Sequence, residues 1–216
     1  GTLRPVWQAL REHHKEPTRT IREMLTEVDW STLAGAAATG RLSRLFKLPR
    51  IPVKQAQVAG FRHAHPDLDT GTVVSIGSHG FSVLEIRDGD VQIFRENSRC
   101  SQGTGNFLRQ LVERFDLSLE QATELSEAVE DPAPLSGRCP VILKTDMTHL
   151  ANKGEDRARI LAGLYDAVCE NVQVLIKPKL APSTVVLIGG VARARRVREQ
   201  FGAYLAENGM ALRETS

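Results

Sequence analysis

TGTVVSIGSHGFSVLEIRDGDVQIF, Thr70–Phe94, is the stretch on which the fold turns. Val73–Ile76, Phe81–Ile86 and Val91–Phe94 are short runs rich in β-branched and aromatic residues, and Asp88-Gly89 between the last two is a hairpin signal, so three consecutive strands are predicted. Downstream, Gly103-Thr104-Gly105 leads into a helix whose Phe107, Leu108, Leu111, Val112 and Phe115 form one apolar stripe. Ser118 with Gln121 three residues later is a capping box that opens the next helix. Beyond the Pro132-Ala133-Pro134 breaker, Pro140–Leu143 reads as a short strand. Ile160, Leu161, Leu164, Val168, Val172, Leu175 and Ile176 fall at the spacing of a buried helix. Thr184–Ile188 is an unbroken apolar run, as in a parallel strand covered on both faces, and Gly189-Gly190 turns it into a final helix. The alternation of strands and helices gives an α/β class.

Upstream the pattern is less regular. Pro5 suits the first turn of a short helix carrying Val6 and Leu10, and Ile21, Met24, Leu25 and Val28 mark a second. Leu33–Gly40, small and apolar, reads as a buried strand ending on a glycine turn. Arg41, Arg44, Lys47 and Arg50 alternate with Leu42, Leu45, Phe46 and Leu48, an amphipathic basic helix over 41–54 whose ordinary role is a solvated face. Two lobes follow, a partial N-terminal one over 1–70 and a second over 71–216 that carries the motifs.

Composition limits the function classes. Apolar residues are 41% and charged residues 25% of the chain, which belongs with folded globular proteins. A net charge of +2 from 28 basic and 26 acidic side chains supplies no field to steer the chain to nucleic acid or a membrane surface. With no apolar run near the ~20 residues of a bilayer span and no apolar opening stretch of a signal peptide, a cytoplasmic protein is expected. The chain opens on Gly1 rather than methionine, consistent with an N-terminal lobe that is incomplete.

Two sets of residues could carry chemistry. Gly77-Ser78, Gly103-Thr104-Gly105 and Gly189-Gly190 each lie where a strand end meets a turn or a helix start. Glycine lets backbone approach a ligand and a helix N-terminus favours anions, so together these turns are candidates for one phosphate or nucleotide cleft. Each alone is also an ordinary tight turn. Cys100 and Cys139 sit at element boundaries, and a pair of thiols there can ligate a metal or a cluster or simply pack as small hydrophobes. Four ligands are the rule for tetrahedral zinc and iron-sulfur sites, so two cysteines leave a site half filled unless a symmetric dimer supplies the other pair. Cys169 falls inside the apolar helical pattern and reads as a structural thiol. His63, His65, His79 and His149 have no spacing that suggests zinc.

The stretch Asn97-Ser98-Arg99-Cys100-Ser101-Gln102-Gly103-Thr104-Gly105-Asn106-Phe107-Leu108 resembles the cysteine motif of the BadF/BadG/BcrA/BcrD-type activator ATPases, which serve 2-hydroxyacyl-CoA dehydratases and benzoyl-CoA reductases. Gly137-Arg138-Cys139-Pro140 is similar to that family's second cysteine motif, and Val185–Val191 to its adenosine-binding Gly-Gly turn. The resemblance runs over roughly Ala34–Phe201 and is densest from Cys100 onward. It implies an actin-like, ribonuclease-H-like ATPase fold. It further implies a homodimer, ATP or ADP with magnesium between the lobes, and one 4Fe-4S cluster per dimer held by Cys100 and Cys139 of both subunits. Gly77, Ser78, Gly103, Thr104, Gly105, Gly189 and Gly190 would meet the nucleotide, and ATP would drive an electron from the cluster onto a dehydratase or reductase partner.

Several parts of the family pattern differ: the acid expected near Val53–Gln57 and the N-terminal phosphate-binding hairpin are not found. The acid and the lysine of the usual phosphate loop are replaced in Ser75-Ile76-Gly77-Ser78-His79-Gly80-Phe81-Ser82, and Glu85 and Asp146 are the acids nearest the motifs. A second reading is therefore a module that binds nucleotide or cluster in an assembly or regulatory role without turnover. A phosphotransferase on the same fold is a third, but it leaves the cysteine pair unexplained.

Overall fold

A computed structural model describes residues 6–97, 104–135 and 139–214. The chain divides into two compact units, residues 1–56 and 57–216.

In the first unit, α1 (Pro17–Thr26) starts on a proline, whose missing N–H costs nothing at that position. Residues 6–14 are not helical, and the helix expected from Pro5 begins outside the described residues. The strand expected over 33–40 reduces to one isolated bridge between Ala38 and Arg50. Ala38 donates its N–H to the Pro49 carbonyl at 2.9 Å and accepts from the Ile51 N–H at 2.9 Å. Apart from Ala38 the segment is exposed, so no buried face favours an extended ladder. The basic helix expected over 41–54 is likewise absent. Within 41–52 only a short 3₁₀ turn at Ser43–Leu45 forms, and Pro49 and Pro52 interrupt a helical hydrogen-bond ladder before a helix begins at Val53.

In the second unit, a five-stranded sheet is built from β1 (Gly71–Ile76), β2 (Phe81–Arg87), β3 (Asp90–Asn97), β4 (Thr184–Ile188) and β5 (Ala211–Arg213). The spatial order is β3-β2-β1-β4-β5. β1, β2 and β3 form the antiparallel meander expected from their hairpin signals, while β4 joins β1, and β5 joins β4, in parallel. A parallel neighbour needs a long crossover, which the helices between β3 and β4 provide. These are α3 (Gly105–Val112), α4 (Leu119–Glu127), α5 (Pro140–Asn152) and α6 (Arg157–Gln173). α7 (Arg195–Glu207) follows β4, and α2 (Val53–Ala64) precedes β1.

Alternation along the strands divides the core. Val74, Ile76, Phe81, Val83, Val185 and Leu187 face the helical layer, where they meet Phe107, Leu111, Leu164, Val168, Phe201 and Leu205. Val73, Leu84, Ile86 and Val186 point the other way, onto Phe61 of α2. Both faces of β4 are thus covered, as its unbroken apolar run requires.

Pro140–Leu143 forms the first turn of α5 and not a strand. Pro140 occupies the first helical position, and Leu143 and Met147 are buried at i, i+4 spacing. A four-residue window shows only the apolar start of that pattern. Ser118 caps α4 as expected: its hydroxyl accepts from the Gln121 N–H at 3.2 Å, and the Gln121 side chain accepts from the Ser118 N–H at 2.9 Å. Ser118→Ala is expected to lower stability by about 1 kcal/mol, a shift readable from the urea midpoint.

Candidate functional site

β1 and β4 run parallel with Ser75 beside Ile188, so the glycines that follow them, Gly77 and Gly189, emerge at the same sheet edge. Gly189 has φ +101°, and a Cβ placed there would lie 2.3 Å from the Ile76 carbonyl oxygen. Only glycine lets the two strand ends come this close. Gly77 donates its N–H to the Gly80 carbonyl at 2.9 Å, closing the β1–β2 loop, and the Ser78 hydroxyl lies 2.7 Å from His79 Nδ1 on the exposed side of that loop.

The third turn joins the other two. The Gly105 N–H donates to the Gly77 carbonyl at 3.0 Å, and the Asn106 N–H to the Ser78 carbonyl at 2.9 Å. A Cβ on Gly105 would stand 3.1 Å from Val191 Cγ2, just past Gly190. The buried Thr104 caps α3 by accepting the Phe107 N–H at 3.3 Å. All three first-turn amides of α3 are therefore donated to protein oxygens, and the helix start serves to fasten the β1–β2 loop. Of the nucleotide candidates, Gly77, Ser78, Thr104, Gly105, Gly189 and Gly190 come together at one edge of the sheet, and Gly103 lies outside the described residues. Ser78, Gly189 and Gly190 are exposed there.

Cys139 is exposed and sits as the N-cap residue of α5, where its side chain caps no amide. Beside it Val141 and Ile142 are 71% and 48% exposed, an apolar rim that a monomer leaves in water. The first turns of α3 and α5 are neighbours, since Phe107, Leu111, Pro140, Val141 and Lys144 line one shallow hollow. Cys100 lies outside the described residues, five positions before Gly105 in sequence. Cys169 is buried, and that burial pushes its thiol well above the ordinary range, so it stays a protonated core residue. Among the described residues no group of three or more His, Cys, Asp and Glu side chains could hold a metal ion.

The two acids nearest the motifs lie elsewhere. Glu85 is buried on β2, opposite Thr72 near the start of β1, and pairs with Arg95. That position is about 16 Å along the strand from the glycine turns at ~3.3 Å per residue. Asp146 is on the second turn of α5.

Sequence reasoning missed Arg196. It is only 5% exposed, and its guanidinium donates to both carboxylate oxygens of Asp166 at 2.7 Å and to the carbonyls of Ser126 and Val129 at 3.0 and 2.7 Å. The available signal was slight: Asp166 is one of two acids on α6, the other being Glu170, and neither lies on its apolar stripe.

Known proteins of similar sequence and fold bear on this site. The solved activator of the 2-hydroxyisocaproyl-CoA dehydratase from Clostridium difficile with bound ADPNP superposes with a TM-score of 0.78 at 21% identity, covering 91% of this chain and 73% of that one. At that identity the likeness fixes the fold, which is actin-like. The (R)-2-hydroxyglutaryl-CoA dehydratase activating ATPase of Acidaminococcus fermentans is 28% identical over 127 residues, 59% of this chain and 49% of that protein. A benzoyl-CoA reductase subunit of Thauera aromatica is 26% identical over 142 residues, 65% of this chain and 50% of that protein. This chain thus matches about half the length of these relatives. The family model described as the BadF/BadG/BcrA/BcrD ATPase family matches residues 51–214, and the chain belongs to that family.

Proposed function

We propose that this chain is the nucleotide-binding and cluster-bearing part of an ATP-dependent activator that delivers an electron to a partner of the 2-hydroxyacyl-CoA dehydratase or benzoyl-CoA reductase type. The observation that carries the reading is the fastening of α3 to the β1–β2 loop, which joins the glycine-turn cluster to the helix reached from Cys100. Residues 71–216 form the lobe with both motifs, and 1–70 part of a second. Gly77, Ser78, Gly189 and Gly190 approach the nucleotide, with Thr104 and Gly105 holding the loop in place.

A 4Fe-4S cluster fits the cysteine set only if it is shared. Cys139 is an exposed thiol with an apolar rim, and Cys100 with the same pair from a second copy would complete four thiolates. Such a cluster supplies one-electron storage. The chain's own contribution is to hold it at a subunit boundary, where the Val141 and Ile142 side chains exclude water.

Iron and acid-labile sulfide, measured per chain after anaerobic purification together with the mass in solution, test this. About one cluster per two chains is expected, with Cys139→Ser and Cys100→Ser each removing most of it and its visible absorption. Iron-free protein from a strictly anaerobic preparation would leave the cluster reading without support.

A further inference from the structure

Phe107, Leu111 and Arg114 fall at i, i+4 and i+7 along α3 and the 3₁₀ turn that continues it (Glu113–Phe115), so they share one face. Pro140, Val141 and Lys144 share a face on the first turns of α5. Where the two faces meet they leave a hollow of about 320 Å³, with the buried Phe107 and Leu111 as its floor and the exposed Gln110, Arg114, Val141 and Lys144 as its rim. That volume is at the lower end of the ~300–1,000 Å³ of ligand clefts, which suits one protruding side chain better than a whole cofactor.

Its charge is one-sided. No aspartate or glutamate lines the hollow. Lys144 has no side-chain hydrogen bond or ion pair among the described residues. The Arg114 guanidinium donates to the Thr148 hydroxyl at 3.3 Å, a neutral partner that leaves its charge uncompensated. An apolar floor rimmed by uncompensated cations is complementary to an apolar side chain flanked by carboxylates. Two other occupants fit worse. A two-fold interface at the hollow would bring the same patch against itself, concave on concave and cation on cation. A membrane surface is anionic but has no protrusion to fill a concave floor.

We propose that the α3–α5 hollow docks an acidic segment of a protein partner, with one apolar side chain seated on Phe107 and Leu111 and its flanking carboxylates on Lys144 and Arg114. Pro140 directly follows Cys139, so the segment is held beside the exposed thiol. What the partner does rests on the activator reading; how it is held rests on the hollow alone.

A fluorescein-labelled peptide, Gly-Glu-Glu-Phe-Glu-Glu-Gly, is titrated with the 216-residue chain by fluorescence anisotropy, beside one control with glutamine for glutamate and another with serine for phenylalanine. The acidic peptide is expected to bind at least ~10-fold tighter than either control, to lose at least ~10-fold in the double variant Lys144→Glu with Arg114→Glu, and to weaken as salt rises from about 50 to about 200 mM. Equal binding of the acidic and glutamine peptides, equal binding by parent and variant, or no binding up to ~1 mM overturns the proposal. A dimer that falls to monomer in the variant while the peptide goes unbound assigns the hollow to a second copy and overturns it too, as does binding to anionic phospholipid vesicles without binding of the peptide. Iron per chain in the same anaerobic preparation reads the cluster separately. Iron-bearing protein that ignores the peptide overturns the docking and keeps the activator reading, whereas iron-free protein that binds it supports the docking while the activator reading falls.

Discussion

Arg196→Ala is expected to lower stability by about 3–5 kcal/mol, enough to leave much of the chain unfolded at 37 °C. The side chain links α7 to Asp166 on α6 and to the carbonyls of Ser126 and Val129 at the end of α4. Truncation removes one charge and strands another, together with two carbonyls, each costing roughly 1–3 kcal/mol when left unpaired in the interior. Arg196→Lys should recover little, because an ammonium cannot meet both Asp166 oxygens and two carbonyls with a planar fork. The double change Arg196→Met with Asp166→Leu should recover more than the lysine variant, since it removes the orphaned carboxylate as well. Urea midpoints of the four proteins decide the point. If the alanine variant stays within about 1 kcal/mol of the parent, the guanidinium is not the staple its geometry describes.

Gly189→Ala should rank next, at about 3 kcal/mol or more, with loss of nucleotide binding where Gly190→Ala leaves stability nearly unchanged. A φ of +101° is strained for any L side chain, which alone costs about 1–3 kcal/mol. The added Cβ would also meet backbone, the Ile76 carbonyl oxygen at 2.3 Å, so the parallel pairing of Ser75 with Ile188 would have to part. Gly190, by contrast, has helical φ −62° and ψ −41° and open space around its Cβ direction. Denaturation midpoints of the two neighbours should therefore diverge sharply. Equal effects at 189 and 190 would contradict the close approach of β1 and β4.

Where local rules and tertiary packing agree, the sequence was readable. The meander of β1 to β3, the capping box of α4 and the doubly covered β4 follow from periodicity, turn chemistry and an unbroken apolar run. The start of α5 was misread because Pro140–Leu143 shows one apolar turn, while the partner that makes it helical, Met147, lies four residues on. Residues 33–52 looked regular but contain two prolines and almost no buried side chain, so neither a strand nor a long helix has anything to pack against. Convergence of the glycine turns was foreseeable from their place at strand ends. That α3 donates its first amides to loop carbonyls was not, because backbone pairing between segments far apart in the chain leaves no mark on side-chain pattern. Arg196 was hidden among Arg193, Arg195 and Arg198; on α7 it differs from Arg195 and Arg198 only in which way the helix turns it.

The bonds from Gly105 to Gly77 and from Asn106 to Ser78 also have a mechanical meaning. Two rigid amide links, one residue apart on each side, allow neither rotation nor sliding of the loop against the helix start while both hold. Displacing the β1–β2 loop therefore drags the first turn of α3 with it, and the chain leading back to Cys100 begins at that turn. Loop and helix start therefore move as one piece.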